Sequence, residues 1–187
     1  MASMSAAASS LPGVPVSVAT INTLIDRHPQ FVMLKHEDCP GLAKITALRQ
    51  SAEREGRRRV SILVGNGGLY YPQELARGVD GAMTGFAYPE MLVKVYRLHA
   101  AGKRDAAEDL FDAYLPLVRH EQQPGIGLAL RKEVLKRRGA IASAKIRAPG
   151  PSLTPEDQAE LTRMIERLER RLSALGLAAR GPLQALA

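Results

Sequence analysis

The sequence predicts an α/β fold in which short parallel strands are joined by helices, followed by a part that is helical throughout. Three observations carry this prediction. Two compact apolar runs, at residues 31–34 and 60–64, are too short for helices and are bounded by chain-breaking residues, Pro29 before the first and Gly65 after the second. Each follows a stretch of helical periodicity, at 16–27 and at 41–55. From Pro89 onward the apolar residues recur at helical spacing.

Taken in order, residues 16–27 place Val18, Ile21, Leu24 and Ile25 on one face, with Ser17 able to cap the start and Pro29 to stop the helix. Phe31, Val32, Met33 and Leu34 then read as a buried strand that ends at Lys35. Leu42, Ile45, Ala47 and Leu48 share a face of the next helix, which ends before Gly56. The strand at 60–64 leaves through Gly65-Asn66-Gly67-Gly68, a turn-forming cluster whose backbone N–H groups can approach an anion closely. A short helix over 72–76 stops at Gly78, and Ala82, Met83 and Thr84 form a third strand closed by Gly85. In the helical part, Met91, Leu92, Val95, Tyr96, Leu98 and His99 form one stripe, and Ala106, Leu110, Ala113, Tyr114, Leu117 and Val118 form another beyond Gly102. Residues 126–137 follow Pro124-Gly125. The last helix starts at Thr154-Pro155, a cap with proline in the first turn, and carries the stripe Leu161, Met164, Ile165, Leu168, Leu172 and Leu175.

Parallel strands joined by helices bind ligands at their C-terminal ends, so Lys35, Gly65, Asn66, Thr84, Gly85 and Phe86 are expected on one rim. Lys35 is the candidate nucleophile. A lysine reacts only as the neutral amine, and a strand end that withdraws it from water favours that form. His36, Glu37, Asp38 and Cys39 are all potential metal ligands, but consecutive residues of an extended segment point to opposite sides and do not converge, so no metal is expected. Glu37 reads as a loop carboxylate that could orient or titrate near Lys35. His99 and His120 fall in helical stretches, and no Ser/His/Asp arrangement can be argued from spacing.

Composition bounds the function class. The 187 residues are 45% hydrophobic, enough for a sizeable core, and no apolar run reaches the roughly 20 residues of a membrane span. The Ala/Ser-rich opening has neither a positive flank nor a continuous apolar centre, so residues 1–13 read as a disordered tail and not as a signal peptide. The single cysteine, Cys39, cannot form an internal disulfide, which suits a reducing cytoplasm. A net charge of +7 with a pI near 9.9 raises nucleic acid as a partner. The clusters, such as 57–59 and 136–138, are not interleaved with stacking rings, aromatics being only 4% of the chain. They read as solvated helix faces, and neither nucleic acid nor membrane is an expected partner.

The run His28-Pro29-Gln30-Phe31-Val32-Met33-Leu34-Lys35-His36-Glu37-Asp38, the helix at 41–55, the strand at 60–65 with its glycine loop, and Gly78-Val79-Asp80-Gly81-Ala82-Met83-Thr84-Gly85 together resemble the dihydrodipicolinate synthase / N-acetylneuraminate lyase family. The resemblance covers residues 16–175, and the order and spacing of these segments carry it. It implies a pyruvate-dependent class I aldolase or lyase in which Lys35 forms an imine with a 2-oxo acid such as pyruvate, with no metal or organic cofactor. It also implies a (β/α)8 barrel, which takes about 250 residues. The chain is therefore expected to be a partial TIM barrel over 14–100, holding the last three strands and their helices, with a C-terminal helical region over 101–187. Strands one to five, the Gly-Thr-Thr-Gly-type loop for the pyruvate carboxylate and the fifth-strand tyrosine have no counterpart in the sequence. Gly85-Phe86-Ala87-Tyr88-Pro89 stands where many members have a Ser/Thr-containing segment and Asn-x-x-Pro, which implies a different second substrate. A homo-oligomer or a complementary chain is the implied partner, and a noncatalytic remnant or subunit binding such a chain is the alternative function.

Overall fold

A computed structural model describes residues 5–9, 16–39 and 41–177 of the chain. They divide into two compact units, Met1–Thr84 and Gly85–Ala187.

The first unit is a four-stranded parallel sheet with strands β1 (Ser5–Ser9), β2 (Met33–Glu37), β3 (Ser61–Val64) and β4 (Gly81–Ala82), arranged in chain order. Helices α1 (Val18–Arg27), α2 (Leu42–Arg54) and α3 (Tyr71–Ala76) form the successive crossovers. Each strand pairs with its sequence neighbour, so the winding never reverses as it does in a doubly wound sheet. That is the order of strands around a barrel, and the unit is consistent with part of one.

Residues 5–9, expected within a disordered tail, instead form the β1 edge, in register from Ser5 opposite Met33 to Ser9 opposite Glu37. A run of Ser and Ala has no strand signal of its own; the unpaired edge of β2 supplies the reason to pair. Residues 1–4 and 10–13 of that expected tail lie outside the described residues.

The β2 strand also differs from its expected limits. A turn after Pro29, closed by Phe31 N–H donating to the His28 carbonyl at 2.9 Å, delays the strand to Met33, although the Val32 carbonyl already accepts from Ser61 N–H at 3.0 Å, while pairing to Ser9 and Val64 carries the strand on to Glu37 and His36. Phe31 is nonetheless fully buried. In β2 and β3 burial alternates: Leu34 and His36 align with Ile62 and Val64 on a buried face, and Met33 and Lys35 align with Ser61 and Leu63 on a half-exposed one. Burial of Leu34, Ile62 and Val64 with Ile21, Ile25, Ile45 and Leu48 of α1 and α2 makes the core, each large side chain contributing about 1.5–3 kcal/mol.

Ser17 caps α1, the helix after β1, by accepting from Thr20 N–H at 3.0 Å. Other side chains close the N-terminal end of the sheet. Arg58 donates to the carbonyls of Ile25, His28 and Phe31, tying the end of α1 to the entry of β2. Asp80 accepts from Arg49 at 2.6 Å, from Arg59 at 2.5 Å and from the Ile62 N–H at 2.8 Å, which joins β3 to the start of β4.

The second unit is helical, with α4 (Pro89–Ala100), α5 (Arg104–Glu121), α6 (Gly127–Arg137) and α7 (Pro155–Ala174). The expected boundary at 100/101 differs from the division at 84/85: α4 packs against α5 and belongs to this unit. Its core is Met91, Leu92 and Val95 of α4, Leu110, Phe111, Leu117 and Val118 of α5, Leu130 and Val134 of α6, and Leu161, Leu168 and Leu172 of α7. Leu175, expected on the same stripe, lies past the helix end and is exposed. Thr154 and Asp157 form a capping box at the start of α7, with Pro155 in the first turn.

Candidate active site at the C-terminal rim of the sheet

Lys35 is the central residue of β2, not its last. Because strand side chains alternate, Lys35 shares the half-exposed face with Met33 and Glu37, and His36 takes the opposite one. The Lys35 Nζ lies 3.3 Å from Glu37 Oε1, with the two side chains 27% and 21% exposed. Both are thus shielded without being sealed from solvent.

The turn after β3 is built around Glu37. Gly65 donates its N–H to the His36 carbonyl at 3.1 Å, and any side chain at position 65 would collide with the Glu37 carboxylate. Asn66 donates from Nδ2 to the Glu37 carbonyl at 2.9 Å. It does so from a left-handed backbone conformation (φ 50°) that asparagine tolerates better than most residues. Gly67 follows in the same region (φ 65°) and donates its N–H to Thr84 Oγ1 at 2.7 Å. Lys35, Gly65, Asn66 and Thr84 therefore stand on one rim, joined through Glu37 and Gly67.

Glu37 is the residue that sequence reasoning underweighted. It lies on the strand and not on a solvated loop. The signal was its spacing of two from Lys35, which puts both on one face only if the strand runs to 37; the apolar run stops at Leu34, so that extension depends on pairing.

His36 is turned into the helical layer and is 1% exposed. Its Nε2 is 3.1 Å from the Gly41 carbonyl, its Nδ1 has no partner among the described residues, and burial lowers its pKa below the ordinary 6.5. Asp38 pairs with Lys44, whose Nζ also donates to the Val16 carbonyl at 2.7 Å, and Cys39 is exposed. Among the described residues no three His, Cys, Asp or Glu side chains converge as a metal site, and no helix is long and apolar enough to cross a membrane.

Gly85 and Phe86 fall in the second unit. Phe86 is 5% exposed, its ring packed against Tyr88 and Tyr114 with centroids 5.8 and 6.4 Å away. A side chain at position 85 would collide with the Arg131 guanidinium. Phe86 was expected on the rim because it follows the end of the third strand; its ring packs in an aromatic cluster, where burial of a large apolar surface is favourable.

A parallel sheet wound in chain order, with a lysine on its half-exposed face, defines an α/β protein consistent with part of a barrel. Comparison with known proteins narrows the class. No family model matches the chain. It is 34% identical over 96 residues to the L-2-keto-3-deoxyarabonate dehydratase of Azospirillum brasilense, covering 51% of this chain and 31% of that protein. The dihydrodipicolinate synthase of Rhodopseudomonas palustris is similar with a TM-score of 0.84 and 46% identity, over 87% of this chain and 55% of that one. A prophage protein of the dihydrodipicolinic acid synthase family from E. coli K12, solved in complex with pyruvate, shares the fold with a TM-score of 0.69 at 19% identity, over 82% of this chain and 51% of that one. The chain spans about half the length of these solved relatives and about a third of the curated one. The part it matches is similar to proteins of the dihydrodipicolinate synthase family, and the match is consistent with a C-terminal portion of those proteins.

Proposed function

We propose that the chain is part of a Schiff-base lyase in which Lys35 forms an imine with a 2-oxo acid such as pyruvate. The observation that carries this reading is the Lys35–Glu37 pair, on the uncovered face of β2 beside the glycine turn. The neutral Lys35 nitrogen adds to the carbonyl carbon, the carbonyl oxygen leaves as water, and a carbon–nitrogen double bond remains. The protonated imine then draws electrons from the neighbouring carbon, so a carbon–carbon or carbon–oxygen bond there is made or broken through an enamine. Glu37, 3.3 Å from Nζ, is placed to take the ammonium proton before attack. No metal or organic cofactor enters these steps. Gly65, Asn66 and Thr84 border the same rim, and Gly85 and Phe86, which follow the last strand of the sheet, are assigned to the substrate as well.

In this reading β2, β3 and β4 are the last three strands of a (β/α)8 barrel and β1 stands at the place of the fifth. A complementary chain or further copies complete the assembly, and the compartment is the cytoplasm. The relatives support the lyase class: one is a dehydratase of a keto-deoxy sugar acid, another was solved with pyruvate.

The test is reductive trapping. Borohydride with pyruvate should leave a reduced three-carbon adduct on Lys35, found by peptide mass spectrometry and absent from Lys35→Ala. Labelling scattered over surface lysines and unchanged in Lys35→Ala would sink the assignment.

A further inference from the structure

The segment 85–88 of the second unit has its backbone held by side chains far away in sequence. Ala87 is fully buried. Its N–H donates to Glu121 Oε1 at 3.2 Å, 34 residues on, and its carbonyl accepts from Arg138, 51 residues on. Glu121 uses its other oxygen to accept from Arg131 Nε at 2.9 Å, and the Arg131 guanidinium lies on Gly85 where any side chain would collide with it. Arg138 also pairs with Glu90 and sits over the Tyr88 ring, 4.2 Å from its centroid. Both peptide groups of Ala87 are thus fixed by charges, one at the end of α5 and one just past the end of α6.

Glu121 stands in a costly place for a carboxylate. It is 3% exposed and is the last residue of α5, where the negative end of the helix dipole opposes an anion. A buried ion pair is commonly no more stabilising than apolar residues of the same volume. Stability of α5 alone does not account for it; the contacts to Ala87 and to the arginine over Gly85 do.

We propose that Glu121 is a positioning residue that sets the conformation of residues 85–87 through the Ala87 amide and the Arg131 guanidinium. The proposal deepens the function above and rests on it only where Gly85 and Phe86 are assigned to the substrate. The groups acting on Glu121 are Arg131 and the Ala87 N–H; Glu121 in turn, with Arg138, Glu90 and Glu169, acts on Tyr88. Burial outweighs Arg131 and raises the Glu121 carboxyl to about 7, so the clasp changes charge near neutral pH.

The experiment follows the backbone amides of Gly85, Phe86 and Ala87, the Arg131 Nε–H and the Glu121 side-chain carboxyl by NMR on the full chain across neutral pH. In the wild-type chain the amides and Nε–H should titrate together with the carboxyl, and in Glu121→Gln, which keeps an oxygen for Ala87, their titration should disappear while the circular dichroism spectrum is kept. Should Glu121→Gln fail to fold, Arg131→Gln serves: with its cation gone, the Glu121 midpoint and the amides should move together to higher pH. Carboxyl titration that leaves Gly85 and Phe86 unmoved, or amide titration that survives in Glu121→Gln, overturns the proposal. A parallel trapping experiment keeps the two readings apart: absence of the Lys35 adduct in the wild-type chain removes the lyase reading, and the NMR result alone still decides the positioning role.

Discussion

Glu37 meets Lys35 because a strand's side chains alternate, and the distance of 3.3 Å is short enough for direct proton transfer. If Glu37 takes the ammonium proton, Glu37→Gln should slow reductive labelling of Lys35 by roughly 100-fold, the low end of what a positioned base contributes. The measurement is the initial rate of adduct formation for both chains. Glu74 carries a second residue-level prediction. It is 8% exposed, its Oε2 has no partner among the described residues, and burial raises its carboxyl from 4.5 to about 7. The folded state therefore holds a proton that the unfolded state has released between these values, and the stability from Glu74 is complete below pH 4.5 and lost as pH rises through 7. Glu74→Gln should raise the melting temperature at pH 8 by several degrees and leave it nearly unchanged at pH 4. The Glu74 effect is not legible in the sequence, because Glu74 on a short polar helix gives no sign of being buried.

At the scale of the element, α5 contains Pro116, which has no N–H to donate to the Asp112 carbonyl four residues back. Arg171 of α7 donates to that carbonyl at 3.3 Å, so a side chain replaces the missing helical bond and ties the two helices together. Arg171→Ala should cost about 0.5–1 kcal/mol, the modest value of an exposed hydrogen bond, and should cost less in a Pro116→Ala background where the backbone can bond itself. Denaturant unfolding of the two single variants and the double variant measures the coupling. The α7 start is the opposite case. Thr154, Pro155 and Asp157 announce the helix in sequence, and Thr154→Ala should destabilise the chain by about 1 kcal/mol. Capping is legible because donor and acceptor are three residues apart. The bond that compensates Pro116 spans 59 residues and is not.

On the scale of the whole molecule, β1 and β4 are the ends of the sheet, and their outer edges have no strand beyond them among the described residues. Unpaired strand edges next to a half-exposed face containing Met33, Leu63 and the exposed Met83 favour association. Sedimentation of the 187-residue chain over a range of concentrations should show self-association or uptake of a complementary chain; a compact monomer throughout would remove that expectation. If the proposed lyase reading holds, turnover by these 187 residues alone should be very slow, because the resemblance leaves the carboxylate loop and the tyrosine without counterparts here, and such groups are each worth orders of magnitude in rate. Steady-state assays with candidate keto-deoxy acids are the check.

Sequence alone determined the elements whose causes are local. The helices read at 16–27 and 41–55 and the one starting at Thr154-Pro155, the apolar runs at 31–34 and 60–64, the glycine turn and the lysine beside it all follow from periodicity, caps and breakers within a few residues. The tertiary structure decided what depends on pairing between distant segments. It made Ser5–Ser9 a strand, since a Ser/Ala run has no reason to extend except the open edge of β2. It moved β2 past Leu34 to Glu37, since ladder partners and not side-chain polarity set where a strand ends. It turned Phe86 into an aromatic cluster and set the carboxylate of Glu121 beneath Ala87, because burial and ion pairing act through space, and a single sequence records only which groups are available to be brought together.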